Sequence, residues 1–135
     1  MKFKGLLKIS KIEEDELKKE VEIVQKKLNA IEEKISECTK SLKQCENTIN
    51  NPSNFILSIS ALNHISMLQK KITILNDTKK DILIEFDKIN NKFIDKKSER
   101  KGFEKLIEKQ KYQLKKEKEK KEQIFLDDLN AKDDL

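Results

Sequence analysis

The chain contains no tryptophan, one proline, one histidine, two glycines and two cysteines, and aromatics account for 5% of its 135 residues. Too few large apolar side chains are present for a compact core of ordinary size. No stretch is long and apolar enough to span a bilayer. The opening Met1-Lys2-Phe3-Lys4-Gly5-Leu6-Leu7-Lys8 holds no uninterrupted hydrophobic region, so no secretory signal is expected, and cytoplasmic residence is the default. No G-x-x-x-x-G-K-[ST] phosphate loop occurs, and the chain is not expected to hydrolyse nucleotide. His64 has no cysteine or carboxylate cluster around it and no nucleophile beside it, which points to a flank position rather than a base. Cys38 and Cys45 lie seven residues apart, about 10.5 Å along one helix, too far for a disulfide. That spacing is not a zinc pattern either, and small core residues are the expected role. No catalytic residue, cofactor or metal is expected.

What is abundant is charge, at 41% of residues, and helical periodicity. Leu17, Val21, Val24, Leu28, Ile31, Ile35, Cys38, Leu42, Cys45 and Ile49 keep a 4-3-4-3 spacing without a slip. A 3.5-residue period holds one seam toward a partner helix and implies left-handed supercoiling. Phe3, Leu7, Ser10 and Glu14 continue the heptad backwards with polar interruptions. Asn50-Asn51-Pro52-Ser53-Asn54 is turn chemistry. A second stripe follows through Ile65, Leu68, Ile72, Leu75, Lys79, Ile82, Phe86, Ile89, Phe93, Lys96, Arg100, Phe103, Ile107, Gln110 and Leu114. Beyond it, Glu117 and Lys121 occupy the core positions and bury poorly. The expected fold is all-α: a long antiparallel two-helix coiled-coil hairpin with a longer C-terminal helix. It forms a single coiled-coil domain over residues 1–135, with helix 1 at about 3–49, a bend at about 50–59, and helix 2 at about 60–130 that overhangs beyond about 108.

Facing residues of an antiparallel pair have a constant index sum, and sums of 103 and 110 both fit the stripes. The first sets Leu7 against Lys96, Phe3 against Arg100 and Glu14 against Ile89. The second sets Leu7 against Phe103, Phe3 against Ile107 and Glu14 against Lys96. The second is favoured, because a seam Glu facing Ile would have no partner. Lys79, at an a position, is a candidate for fixing register or partner number. Gly102 lies within helix 2 near where Phe3 and Leu7 would pack, and either a packing or kink role or no role is open.

Charge placement separates the ends. Residues 1–49 carry eleven Lys and ten acids, whereas residues 101–123 carry nine Lys and five Glu. The Lys115–Lys121 run is interleaved with Glu, and Tyr112 is the nearest aromatic. With Arg100 as the only arginine, nucleic acid is not the expected partner. Phe55, Ile56 and Leu57 crowd the bend, where they either cap the hairpin core or form an exposed docking knob.

Two motifs suggest a relationship. The opening Phe3-x-x-Leu6-Leu7-Lys8-Ile9-x-x-Ile12-Glu13-Glu14 and the ending Glu122-Gln123-x-x-Leu126-Asp127-Asp128-Leu129 resemble the start and finish of the FliJ family of flagellar and type III secretion export proteins. The resemblance implies a non-enzymatic central stalk for a hexameric export ATPase that promotes ring formation and activity. It further implies a link to the cytoplasmic domain of the export gate's membrane component, and handling of export chaperones. Such a protein would be cytoplasmic, peripheral to the membrane through partners only, and monomeric alone. The ATPase-facing set it implies is Phe3, Leu7, Lys115, Lys118, Lys121, Phe125, Leu126 and Asp127. The gate-facing set is Leu42, Cys45, Ile49, Phe55, Ile56, Ile65 and Leu68.

A coiled-coil scaffold that oligomerises or bridges partners is the alternative. A hairpin chaperone of the prefoldin kind needs strand segments that residues 50–60 are too few to supply. In the 110 register, a Glu14→Cys/Lys96→Cys pair is expected to crosslink within one chain, whereas failure to crosslink would favour the 103 alignment.

Overall fold

The computed structural model describes residues 2–50 and 54–133. Two helices account for nearly all of them: α1, Lys2–Asn50, and α2, Phe55–Asp133, of 49 and 79 residues. No strand occurs among the described residues. Of the turn residues, Asn51, Pro52 and Ser53 fall outside the described set. Helix 2 starts at Phe55 rather than near residue 60, so the expected bend of about 50–59 is shorter. Its start is set by Asn54, whose side-chain Oδ1 accepts the Ile56 N–H at 2.8 Å. Its backbone carbonyl accepts the Ser58 N–H at 3.1 Å. This is N-cap chemistry that satisfies a donor the first helical turn leaves orphaned. Exposed Thr39, Thr48, Thr73 and Thr78 each donate their hydroxyl to the carbonyl four residues back, so they sit within the helices without an unmet polar group.

The chain divides into two compact units, and each helix contributes to both. Unit 2, Leu17–Phe93, is a helix–turn–helix hairpin. Val24, Leu28, Cys38, Ala61 and Leu68 are its buried side chains. Glu32 and Lys79 pair across it at 3.6 Å. Lys79 thus turns its ammonium out of the seam toward an acid on the facing helix. Unit 1, Met1–Glu16 with Ile94–Leu135, is an antiparallel pair, since Phe3 meets Phe103 while Ser10 meets Glu99 and Glu13 meets Lys96. Its most buried side chains are Ser10 and Ile107.

The heptad stripe is reproduced residue by residue. Each α1 position from Phe3 to Ile49, and each α2 position from Ile65 to Gln110, is buried or half-buried. Leu114 is the exception: it is exposed, as is every described side chain from Lys111 to Lys132. The register follows the 110 alignment. Phe3, Leu7, Phe103 and Ile107 gather at one end, with the two phenyl centroids 6.4 Å apart. Glu14, however, pairs with Arg100 rather than Lys96, and Lys96 takes Glu13 instead. The guanidinium's longer, planar fork suits a carboxylate in the seam better than an ammonium does.

Gly102 is exposed, and a Cβ built on it would meet nothing within 4 Å. Close packing is therefore not the reason for a glycine there. Gly102→Ala is expected to raise stability by up to about 1 kcal/mol. Leu28→Ala, in contrast, should lower stability by about 2–4 kcal/mol, because it empties a buried seam position. Urea unfolding followed by helical circular dichroism reads both signs.

Candidate functional site

Three features stand out on the paired helices. The first is a polar layer in unit 1, where the apolar seam is interrupted. Ser10 retains 2% of its surface, and its hydroxyl donates to Glu99 Oε2 at 3.3 Å. Lys96 bridges Glu99, at 2.9 Å, and Glu13. Arg100 reaches Glu14 through Nε at 2.5 Å and Glu104 through Nη1 at 3.0 Å. The Arg100 and Glu14 side chains keep 20% and 13% of their surface, making this the most enclosed ion pair among the described residues. Hydrogen bonding to Glu13, then Glu99, holds the Lys96 ammonium above the ordinary lysine range. The Lys96 ammonium holds the Glu99 carboxyl below the ordinary carboxylate range. Glu14, and then Glu104, raise Arg100 further. Since each charge has an opposite one beside it, the layer favours one alignment over a shift by one heptad.

The second feature is the start of helix 2. Phe55 and Ile56 are 78% and 73% exposed, and Leu57, Ile59 and Leu62 are exposed with them. They do not cap the hairpin core. That role falls to Ser58 and Ala61, which are half-buried and buried. The sequence reading missed these two, although the 4-3 spacing extends backwards from Leu68 through Ile65 to both. Of the remaining residues expected to face a gate, Leu42, Cys45, Ile49 and Ile65 are half-buried in the seam and Leu68 is buried. His64 is exposed and lines a shallow groove with Cys45, Ala61 and Met67. Cys38 is buried and Cys45 half-buried, and neither is in a disulfide.

The third feature is helix 2 beyond Gln110. Lys115, Lys118, Lys121, Phe125, Leu126 and Asp127 are all exposed there. Local contacts along this stretch stay within the helix: Lys116 lies 4.7 Å from the Tyr112 ring centre, and Gln123 donates to Asp127 at 3.0 Å. Phe3 and Leu7, expected in the same partner-facing set, are instead half-buried against helix 2. Among the described residues no three His, Cys, Asp or Glu side chains gather to hold a metal ion. No described helix is long and apolar enough to cross a membrane.

The family model described as "Flagellar FliJ protein" matches residues 1–133. The chain belongs to the FliJ family. Membership gives it a role in flagellar protein export, as a structural component associated with the export machinery. It also agrees with the opening and closing motifs, which both lie inside the matched span. No curated protein and no solved structure matches the chain.

The polar layer has a signed pH dependence. A carboxyl whose folded value is depressed contributes stability that is present above its unfolded value, about 4.3, and lost as pH falls through the folded one. Glu99 is such a group. The melting temperature is expected to fall as pH drops from 6 to below 4. Glu99→Gln should lower the melting temperature at pH 6 and shrink that acid-induced drop. An identical drop in the variant would remove Glu99 from the account.

Proposed function

We propose that this FliJ-family protein is the central stalk of the hexameric export ATPase, promoting its assembly and activity. It links that ring to the cytoplasmic domain of the export gate's membrane component. The observation that carries this reading is the run of exposed side chains from Lys111 to Lys132 on a single helix. A lone helix, about 10–12 Å across with its side chains, is thin enough to enter a narrow ring opening. Its lysines, Lys115, Lys118 and Lys121, would be drawn toward acidic groups lining such an opening. Phe125, Leu126 and Asp127 would make the closer contacts. Phe3 and Leu7 act at the base of this helix, holding it against helix 1 while their exposed edges meet the ring.

At the start of helix 2, exposed Phe55 and Ile56 form the gate-facing knob. Leu42, Cys45, Ile49, Ile65 and Leu68 support it from the seam, with only the half-buried ones offering an edge to a partner. The protein works in the cytoplasm, reaches the membrane through its partners, and hands export chaperones on to the same apparatus. It is a monomer on its own and does not act on nucleic acid.

ATP hydrolysis by the host's export ATPase, measured with and without this protein and alongside electron microscopy for rings, tests the reading. Full-length protein is expected to stimulate hydrolysis and increase ring number. Truncation after Leu114 should keep the helical signal of the pairing but return hydrolysis to the basal rate. Normal stimulation by the truncated form would show that the exposed stretch is not the ring-entering element.

A further inference from the structure

The paired part of unit 1 carries a groove that the stalk reading leaves unused. It has a volume of about 380 Å³ and is lined by Lys4, Leu7, Lys8, Lys11, Ile107 and Lys111. Leu7 and Ile107 are seam residues and form its floor, and Ile107 is only 7% exposed. All four lysines are exposed. The ion pairs among the described residues engage Lys79, Lys96 and Arg100, and none of the groove lysines. No carboxylate lines the groove. Lys4, Lys8 and Lys11 follow one rim at 4-3 spacing along helix 1, and Lys111 stands on the other. Elsewhere in the same pairing, Lys96 is already matched by Glu13 and Glu99. The groove lysines therefore differ from Lys96, which is neutralised within the chain.

We propose that this groove docks an acidic amphipathic helix of a partner protein, which packs as a third helix over Leu7 and Ile107. The three lysines of helix 1 span about 10.5 Å, two turns of such a helix. Apolar residues at heptad spacing on the incoming helix fill the floor, and Glu or Asp on both flanks meet the lysine rims. Charge decides against a second copy of this chain seated by the same groove, because that would set lysine rim against lysine rim. Depth decides against a membrane surface. The apolar groups lie beneath the lysines rather than beyond them, so a flat bilayer would reach the ammoniums but not the floor. A protruding helix reaches both. Leu7 is the one residue shared with the ATPase-facing set. Lys111 on the groove rim is also the first residue of the exposed run, but truncation after Leu114 removes the rest of that run and leaves every groove residue in place, so the two readings fail independently.

The test uses the full-length chain and a synthetic peptide of about 20 residues. The peptide carries Leu and Ile at heptad a and d positions flanked by Glu, and is compared with a Glu→Lys version and with phosphatidylglycerol-containing vesicles. Titration is followed by fluorescence anisotropy of the peptide and by the methyl signals of Leu7 and Ile107. The acidic peptide is expected to bind, shift both methyl signals, and weaken as salt is raised. Lys8→Glu/Lys111→Glu should weaken binding at least about tenfold, since two attractive contacts become repulsive. Lys8→Gln/Lys111→Gln should give a smaller loss in the same direction. Lys105→Glu, outside the groove, should change it little. Circular dichroism confirms that each variant remains helical. Equal binding by the groove and Lys105 variants, unmoved Leu7 and Ile107 signals, or groove-dependent binding of vesicles but not of the peptide would each overturn the proposal.

Discussion

Neither helix of this protein can bury its own apolar stripe, and each stripe is covered only by the other helix. A narrow seam has room for few enclosed side chains: among the described residues, Val24, Leu28, Cys38, Ala61, Leu68 and Ile107 are the buried apolar ones, with Ser10 as the buried polar one. The helices are long because such a seam gains stability by the turn rather than by depth. Since so little of the chain is committed to the seam, most of its surface is left to face solvent and partners.

Where the apolar repeat fails in unit 1, charge takes over its role. Arg100 at a seam position would be costly without an acid, and Glu14 is there to meet it. Ser10, Lys96 and Glu99 form a connected set around the same place. The pairs are partly exposed, so their contribution to stability is modest and screened by salt. Their larger effect is on alignment, because a shift by one heptad would set Glu14 against an apolar residue. That alignment then fixes which lysines and apolar residues share a surface.

Membership of the FliJ family gives the chain an export role, and the described residues offer partners three surfaces through which to fill it. Three surfaces differ in character. The start of helix 2 is apolar and exposed, the groove near Leu7 is basic over an apolar floor, and helix 2 beyond Gln110 is a charged single helix. Any contact made through the last two would weaken with ionic strength far more than one made through the first.

Heptad spacing determined the two helices and their inward residues. The spacing of Leu17 through Ile49 is a local property of the chain, and any partner helix would read the same face. The N-cap role of Asn54 is also local, although the 110 alignment predicts a broad bend over about 50–59 that would hold Phe55, Ile56, Leu57 and Ile59, and these residues instead form the first turns of helix 2. Tertiary structure decided the rest. Leu114 fits the period yet is exposed, because a stripe is buried only where the other helix extends far enough to cover it. Glu14 chose Arg100 over Lys96 because side-chain reach, not backbone register, selects among nearby charges. Lys4, Lys8 and Lys11 are about a hundred residues from Lys111 in sequence, and only antiparallel pairing brings them to one groove.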